Sequence, residues 1–326
     1  MQQDLYKAML AVLPQQHPDK ELETFYRLIR DYPRRGGKLL RGQFVLLSAL
    51  AHGGSVEAAM PVAVALELFQ NWVLIHDDIE DGSEERRGEK ALHRQVGMPI
   101  ALNVGDALHI YMWQVLLGLK LEYKDAIAQE FLTMIHRTSE GQHLDLSWVE
   151  ARRFDISEAE YLQMVSLKTA YYTVISPLRL GAWCAGKEPH QDFEPLGKAL
   201  GIGFQIRDDV LNLLPSKTYG KEFAGDLYEG KRTLILAYLF SQLNSAEKRQ
   251  LETYLAKERE QKNSEETTEI LGLINKYKAL DYAQKVADDH AQTGLELLIN
   301  ALAPLPEQGR VNELTGLLES LAKRNT

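Results

Sequence analysis

The strongest constraint on the fold is an apolar run that ends in acid. Residues 62–75 are apolar except for Glu67, Gln70 and Asn71, and they lead directly into His76-Asp77-Asp78-Ile79-Glu80-Asp81. A second long apolar run, residues 100–119, carries Asn103, Asp106, His109 and Gln114. Both are interrupted too often to read as membrane spans, so each is expected to be a helix buried on most sides. Carboxylates at the end of such a helix are expensive unless something positive meets them.

Helical periodicity continues along the chain. Residues 5–13, 21–30, 43–52, 61–81, 100–119, 124–147, 158–184, 193–213, 233–244, 247–262, 269–300 and 310–324 all accept a helical reading. Pro61 reads as an early helical position, and Ser157 with Glu160 reads as a capping box. Strand alternation is nearly absent, and Asp81-Gly82 sits in a charged loop. The expectation is all-α: one large helical bundle over residues 1–326, built around a central cavity. The hydrophilic stretch 256–269 reads as a solvated helix end without function.

Composition removes several classes. The chain has 37 Lys and Arg against 46 Asp and Glu, a net charge of −9. That balance argues against a nucleic-acid binder, whose affinity rests on basic charge. The single cysteine, Cys184, rules out an intrachain disulfide and any zinc site needing several cysteines from this chain. Residues 1–14 have no basic segment and no apolar run of signal-peptide length. A cytoplasmic protein is expected.

The acidic pattern occurs twice. Ile75-His76-Asp77-Asp78-Ile79-Glu80-Asp81 is matched by Ile206-Arg207-Asp208-Asp209-Val210-Leu211-Asn212. Positions i and i+4 share a helix face, about 6 Å apart. Asp77 and Asp81 can therefore aim at one point, as can Asp208 and Asn212. Asp78 and Asp209 are rotated by about 100° and can support from the side. Oxygen-only donors select hard cations, and Mg²⁺ in particular binds through one or two carboxylates plus substrate phosphates. A single such cluster would read as a solvated helix end. Two clusters, each after a long apolar run, read as a metal site.

Cations supply the complementary sign. Residues 34–41 read Arg-Arg-Gly-Gly-Lys-Leu-Leu-Arg, and Arg86-Arg87-Gly88 follows the first acidic cluster. Glycines let a backbone approach an anion, and Arg and Lys bind phosphate oxygens. Other phosphate motifs fail. Both Gly-x-x-x-x-Gly-Lys stretches, 181–187 and 225–231, continue with Glu188 and Arg232 instead of Ser or Thr. Gly201 and Gly203 lack the third glycine of a dinucleotide fingerprint. Glu140 and His143 form a single Glu-x-x-His where a di-iron bundle needs two.

These residues resemble the trans-isoprenyl diphosphate synthases of the polyprenyl synthetase family. The blocks that carry the resemblance are Gly36-Gly37-Lys38 with Arg41, Asp77-Asp78-x-x-Asp81 with Arg86-Arg87-Gly88, His93, and Gly105-Asp106-Ala107-Leu108. They continue with Gly141-Gln142 and Asp145-Leu146, Lys168-Thr169-Ala170, residues 204–209, and Gly225-Asp226-Leu227 with Glu229-Gly230-Lys231. The family joins an allylic diphosphate (dimethylallyl, geranyl or farnesyl) to isopentenyl diphosphate, head to tail. The resemblance implies three Mg²⁺ ions held by Asp77, Asp81 and Asp208, with Asp78, Asp209 and Asn212 nearby. It implies an allylic diphosphate held by Arg86, Lys168, Lys221 and Lys231, and isopentenyl diphosphate held by Lys38, Arg41, Gln70 and Arg87. Thr169 and Gln205 would lie near the carbocation. A homodimer is also implied. Asn212 stands where the family more often has Asp, Leu39 where it often has Arg, and Gly42 where it often has Pro.

In the family the growing chain runs along the first acidic helix. Trp72, with Val73 and Phe69, would then act as a floor, which favours a short product: geranylgeranyl first, farnesyl second. Trp72 can also be read as core facing another helix. Three rival readings remain: a class I terpene cyclase, a non-catalytic subunit of a heteromeric synthase, and an all-helical scaffold. The isopentenyl-side cations count against the cyclase. The intact acidic clusters count against the subunit and the scaffold.

Overall fold

The computed structural model describes residues 1–214 and 222–323. As expected, it is all-α: the one sheet among the described residues is the two-stranded ribbon Glu85–Arg86 with Glu89–Lys90. The described residues fall into two compact units. One contains Met1–Met134, Thr173–Glu194 and Ile299–Leu317; the other contains Ile135–Tyr172, Pro195–Leu298 and Leu318–Thr326.

In the first unit the apolar run forms the helix Val56–Glu80, capped by the Ser55 hydroxyl accepting from the Ala58 N–H. It packs against Met98–Leu117 and Leu40–Ala51, and Leu40–Ala51 packs in turn on Ser176–Cys184. Phe44, Leu46, Leu66 and Phe69 are fully buried between them. Pro61 lies inside this helix and does not open it. The Ser55 cap outweighs the proline signal: one missing N–H within the helix removes a single backbone bond, whereas a cap satisfies groups that would otherwise be orphaned. Val56–Glu80 and Met98–Leu117 are also long and apolar enough to cross a membrane by composition, but 67% of the first helix's apolar window is buried inside the protein.

In the second unit, apolar residues from several helices form one core, among them Trp148, Ile206, Leu234, Leu239 and Ile274. The expected helix over 158–184 is three segments. Glu158–Val165 starts at Ser157 with the capping box in place, Ser166–Ile175 is a π-helix, and Ser176–Cys184 returns to α geometry. Apolar periodicity does not distinguish this wider turn over so short a segment. Two glycines make room for the π segment. A Cβ at Gly141, on the helix Lys124–Glu150, would lie 2.2 Å from the Lys168 backbone nitrogen. One at Gly201 would lie 2.5 Å from the Ala170 Cα. The stretch read as 247–262 breaks after Leu255 into the helix Ser245–Leu255 and the short 3-10 helix Arg259–Gln261, and the one read as 269–300 breaks at Lys278, whose φ is 54°.

Gly141→Ala forces the Lys168 backbone to move. We expect a loss of about 3 kcal/mol or more in unfolding free energy by urea titration. A loss below about 1 kcal/mol would mean that the two backbones can part at little cost.

Candidate active site

The first acidic cluster is sorted by burial. Asp78 is fully buried, while Asp77 and Asp81 are partly exposed. The Tyr32 hydroxyl donates to Asp78 Oδ2 at 2.5 Å. Arg86 Nε donates to both Asp78 oxygens at 2.9 and 3.1 Å, and Arg86 Nη2 also donates to Oδ1. The same guanidinium lies 3.5 Å from Asp77. Burial opposes the Arg86 charge, but Asp78 more than compensates and raises its pKa further.

Arg86 and Arg87 have different partners because a tight turn separates them. Arg86 pairs with Glu89 in the ribbon, leaving Arg87 and Gly88 as a two-residue loop with φ of 55° and 76°. Positive φ at both central residues is the type I′ pattern. Arg87 Nη1 donates to the Tyr32 carbonyl at 2.9 Å and reaches Asn71 Oδ1 at 3.4 Å. A Cβ on Gly37, whose φ is 141°, would lie 3.3 Å from this guanidinium, so the glycine lets the 34–41 segment close on Arg87.

Lys38 and Arg41 belong to the 34–41 segment, and Gln70 lies on Val56–Glu80. Arg41, in the first turn of Leu40–Ala51, donates to Thr173 Oγ1 at 3.0 Å. Lys38 is exposed and Gln70 is buried. The start of Leu40–Ala51 is held by a group the sequence reading did not assign: Glu67 Oε1 accepts the Gly42 N–H at 2.7 Å. A proline at position 42 would have no N–H to give, so the glycine there is matched to this carboxylate. Glu67 is 2% exposed. Burial pushes its pKa up, against the Gly42 N–H and the charges of Arg41 and Arg87.

Further along the same helix, Trp72 packs against Met98–Leu117. Its ring stacks on His109 with centroids 4.0 Å apart, and meets Phe69 and His76 edge-on. Trp113 Nε1 donates to His109 Nε2 at 2.8 Å. Burial lowers the His109 pKa, favouring the neutral ring. Phe69 is fully buried and Val73 partly so.

Asp208 and Asp209 line an open cavity in the second unit, together with Asp145, Lys168, Thr169, Gln205, Asp226 and Lys231. Here again the second aspartate is the buried one. Asp209 is 6% exposed and Asp208 more open. The Tyr161 hydroxyl donates to Asp209 Oδ2 at 2.6 Å, and Gln205 Nε2 donates to Oδ1 at 2.8 Å. Thr169 Oγ1 donates to Gln205 Oε1 at 2.9 Å. Burial raises the Asp209 carboxyl to about 6, although both donors favour its ionised form. Lys168 is paired with Asp145 at 2.6 Å, and Lys231 with Glu229 at 2.9 Å. Asn212 is turned inward: its Oδ1 accepts the Asp226 N–H at 3.1 Å, and its carbonyl accepts the Ala224 N–H at 2.9 Å. Lys221 lies outside the described residues.

Sequence reading missed Tyr32, Tyr161, Glu67 and Lys262. Lys262 falls in the stretch expected to be solvated, yet it is 7% exposed and donates to the carbonyls of Leu227 and Tyr228 at 3.0 and 2.7 Å. It caps the short helix Gly225–Glu229, which carries Asp226 and precedes Lys231. Its pKa is lowered to about 8, mainly by burial and then by Arg232 and Arg259. Tyr32 follows Asp31, Tyr161 follows Glu160 and Lys262 lies in a polar stretch, so nothing in their neighbours marks them as buried.

Glu67 generates a pH signature. A buried carboxyl with a raised pKa holds its proton in the folded state above the ordinary value of 4.5. Stability from this group is full below that pH and declines as pH rises through the raised value. Glu67→Gln keeps an acceptor for Gly42 without the charge. The parent's unfolding free energy should fall more steeply than the variant's from pH 5 upward; parallel curves would show that Glu67 titrates normally.

A polyprenyl synthetase family model matches residues 22–274. The geranylgeranyl pyrophosphate synthase of Geoglobus acetivorans is 33% identical over 321 residues, covering 94% of this chain and 93% of that protein. The short chain isoprenyl diphosphate synthase of Methanothermobacter thermautotrophicus is 33% identical over 281 residues, covering 85% and 84%. Among solved structures, the geranylgeranyl pyrophosphate synthetase of Pyrococcus horikoshii superposes with a TM-score of 0.83 at 29% identity, covering 98% of this chain and 95% of that one. On the family match and on relatives this similar along nearly the whole chain, the protein belongs to the polyprenyl synthetase family.

Proposed function

We propose that this chain condenses an allylic diphosphate with isopentenyl diphosphate, head to tail, into a short-chain trans-prenyl diphosphate of C15 to C20, with geranylgeranyl diphosphate favoured over farnesyl. The observation that carries the reading is the doubled cluster: two acidic sites, each with one buried and at least one open aspartate, and each accompanied by its own cations. Relatives named as geranylgeranyl and short-chain synthases support the product class. The family model spans segments of both compact units, which supports a single functional domain over 1–326.

The donor set fits Mg²⁺. Asp77, Asp81 and Asp208 offer only carboxylate oxygens, which suit a hard cation and diphosphate together. They would hold the metal, three ions in all. Bound Mg²⁺ would neutralise charge developing on the diphosphate as the allylic C–O bond breaks. On this reading Arg86, Lys168, Lys221 and Lys231 would hold the allylic diphosphate as fixed cations. Thr169 and Gln205, which line the cavity, would lie near the allylic carbocation, where their oxygen dipoles would favour positive charge. Lys38, Arg41, Gln70 and Arg87 bind the isopentenyl diphosphate. The departing pyrophosphate is itself a base of suitable strength, so no protein general base is assigned. Asp78, Asp209 and Asn212 complete the clusters from inside the protein. Trp72, with Phe69, Val73 and the stacked His109, forms the floor that limits chain length.

We assign the protein to the cytoplasm, with no membrane span, and to a homodimer. Met98, Leu102, Ile110 and Leu117 are exposed along one side of a helix, an apolar face that a second copy would cover. Light scattering should give twice 37.0 kDa; a monomer at micromolar concentration would remove the dimer.

Purified protein with Mg²⁺, an allylic diphosphate and isopentenyl diphosphate should yield a C15–C20 product. Product that does not require isopentenyl diphosphate would favour the cyclase, and no product would favour the non-catalytic subunit. Asp77→Ala and Asp208→Ala should each lose roughly a thousandfold or more in turnover while remaining folded. In the same chromatograms Trp72→Ala should lengthen the product; an unchanged distribution would dismiss the floor.

A further inference from the structure

The two acidic clusters share a feature outside their own motif. A buried tyrosine from elsewhere in the chain donates to the second aspartate of each. Tyr32 is 46 residues before Asp78, and Tyr161 is 48 residues before Asp209. Their rings are 0% and 1% exposed. The two arrangements lie in different compact units and on different kinds of element, the short helix Asp31–Arg34 and the helix Glu158–Val165.

The direction of the hydrogen bond is fixed at the first site. The Leu92 N–H donates to the Tyr32 oxygen at 3.1 Å. A hydroxyl has one proton, so the tyrosine's own hydrogen goes to Asp78. That carboxylate then receives Tyr32 together with the Arg86 fork. Its acceptor positions number about four and are filled by protein donors. At the second site Asp209 receives Tyr161 on one oxygen and Gln205 on the other. The donors differ, but the outcome is the same: each second aspartate is turned into the protein, and its neighbour at the preceding position is left nearer solvent.

Tyr32 also ties together both arginines of the turn. Its hydroxyl meets the carboxylate that grips Arg86, and its carbonyl accepts from Arg87. The Arg35 guanidinium lies over its ring at 4.5 Å and donates to the Arg86 carbonyl at 3.0 Å.

We propose that Tyr32 and Tyr161 are positioning residues of the two clusters: by holding Asp78 and Asp209 inward, each sets the rotation of its helix end at which Asp77 and Asp81, or Asp208, are presented to a metal–diphosphate. This rests on the reading of the clusters as a metal–diphosphate site. It adds that metal affinity depends on phenolic hydroxyls that touch neither metal nor substrate.

The test uses Tyr32→Phe and Tyr161→Phe in the full-length protein, since phenylalanine keeps the ring and removes the donor. Mn²⁺ affinity in the presence of inorganic pyrophosphate, measured by electron paramagnetic resonance, gives a readout independent of turnover. Each variant should bind Mn²⁺ about tenfold more weakly. The allylic KM should rise, and the KM for isopentenyl diphosphate should stay within about twofold for Tyr161→Phe. Folded variants with unchanged Mn²⁺ affinity and a lowered thermal midpoint would overturn the proposal and leave the tyrosines as packing residues. If Tyr32→Phe does not fold, Asp78→Asn replaces it. A loss of about tenfold there supports the inward role, whereas complete loss of Mn²⁺ binding makes Asp78 a ligand and overturns it. Absence of pyrophosphate-dependent Mn²⁺ binding by the parent protein overturns the metal-site reading itself, and the proposal with it.

Discussion

A carboxylate with no solvent exposure stays in a protein only against fixed donors, and Asp78 is the point on which the first site depends. Burying an ion costs several kcal/mol, and breaking a buried pair by removing one partner costs about 3–5 kcal/mol. The Arg86 fork and the Tyr32 hydroxyl meet that demand. In doing so they join the ribbon at 85–90, the short helix Asp31–Arg34 and the end of Val56–Glu80 into one unit. Positions of Asp77, Asp81, Arg86 and Arg87 all follow from that junction. Glu67 does related work about three turns back along the same helix, where it holds the segment bearing Arg41.

The second site leans on close backbone packing, with the pairs Lys168–Asp145 and Lys231–Glu229 beside it. The π-helix Ser166–Ile175 presents Lys168 and Thr169, and it can do so because Gly141 and Gly201 let neighbouring helices come within contact of its main chain. From there a relay of neutral hydrogen bonds runs from Thr169 through Gln205 to Asp209. Asp209 is met by a tyrosine and an amide where Asp78 is met by a tyrosine and an arginine fork, and burial raises the Asp209 carboxyl to about 6. The two clusters look alike in sequence and are stabilised by different physics.

Much of this was legible in the residues. Apolar periodicity marked the helices, and the doubled aspartate pattern located both clusters, because i,i+4 spacing is a property of the helix itself. Boundaries were lost where a single strong signal competed with tertiary context. Pro61 drew the start of Val56–Glu80 inward, and the π segment was hidden inside an unbroken amphipathic pattern. Tyr32, Tyr161, Glu67 and Lys262 were not legible because their partners lie far along the chain, 46 residues in the case of Tyr32 and 35 for Lys262 and Leu227. Asn212 could be seen as a departure, but its bond to the Asp226 N–H could not.

The ribbon at 85–90 has a consequence for how such a chain can vary. Side chains in a strand alternate with a period of two, so one inserted or deleted residue turns every following side chain to the other face. Here that shift would swing Arg86 away from Asp78 and place Arg87 where its neighbour stood. The six residues from Glu85 to Lys90 therefore tolerate exchange of side chains far better than change of length. Most surface loops behave in the opposite way, accepting insertions freely. In this protein a hairpin of minimal size acts as a ruler, fixing the phase between two adjacent positive charges.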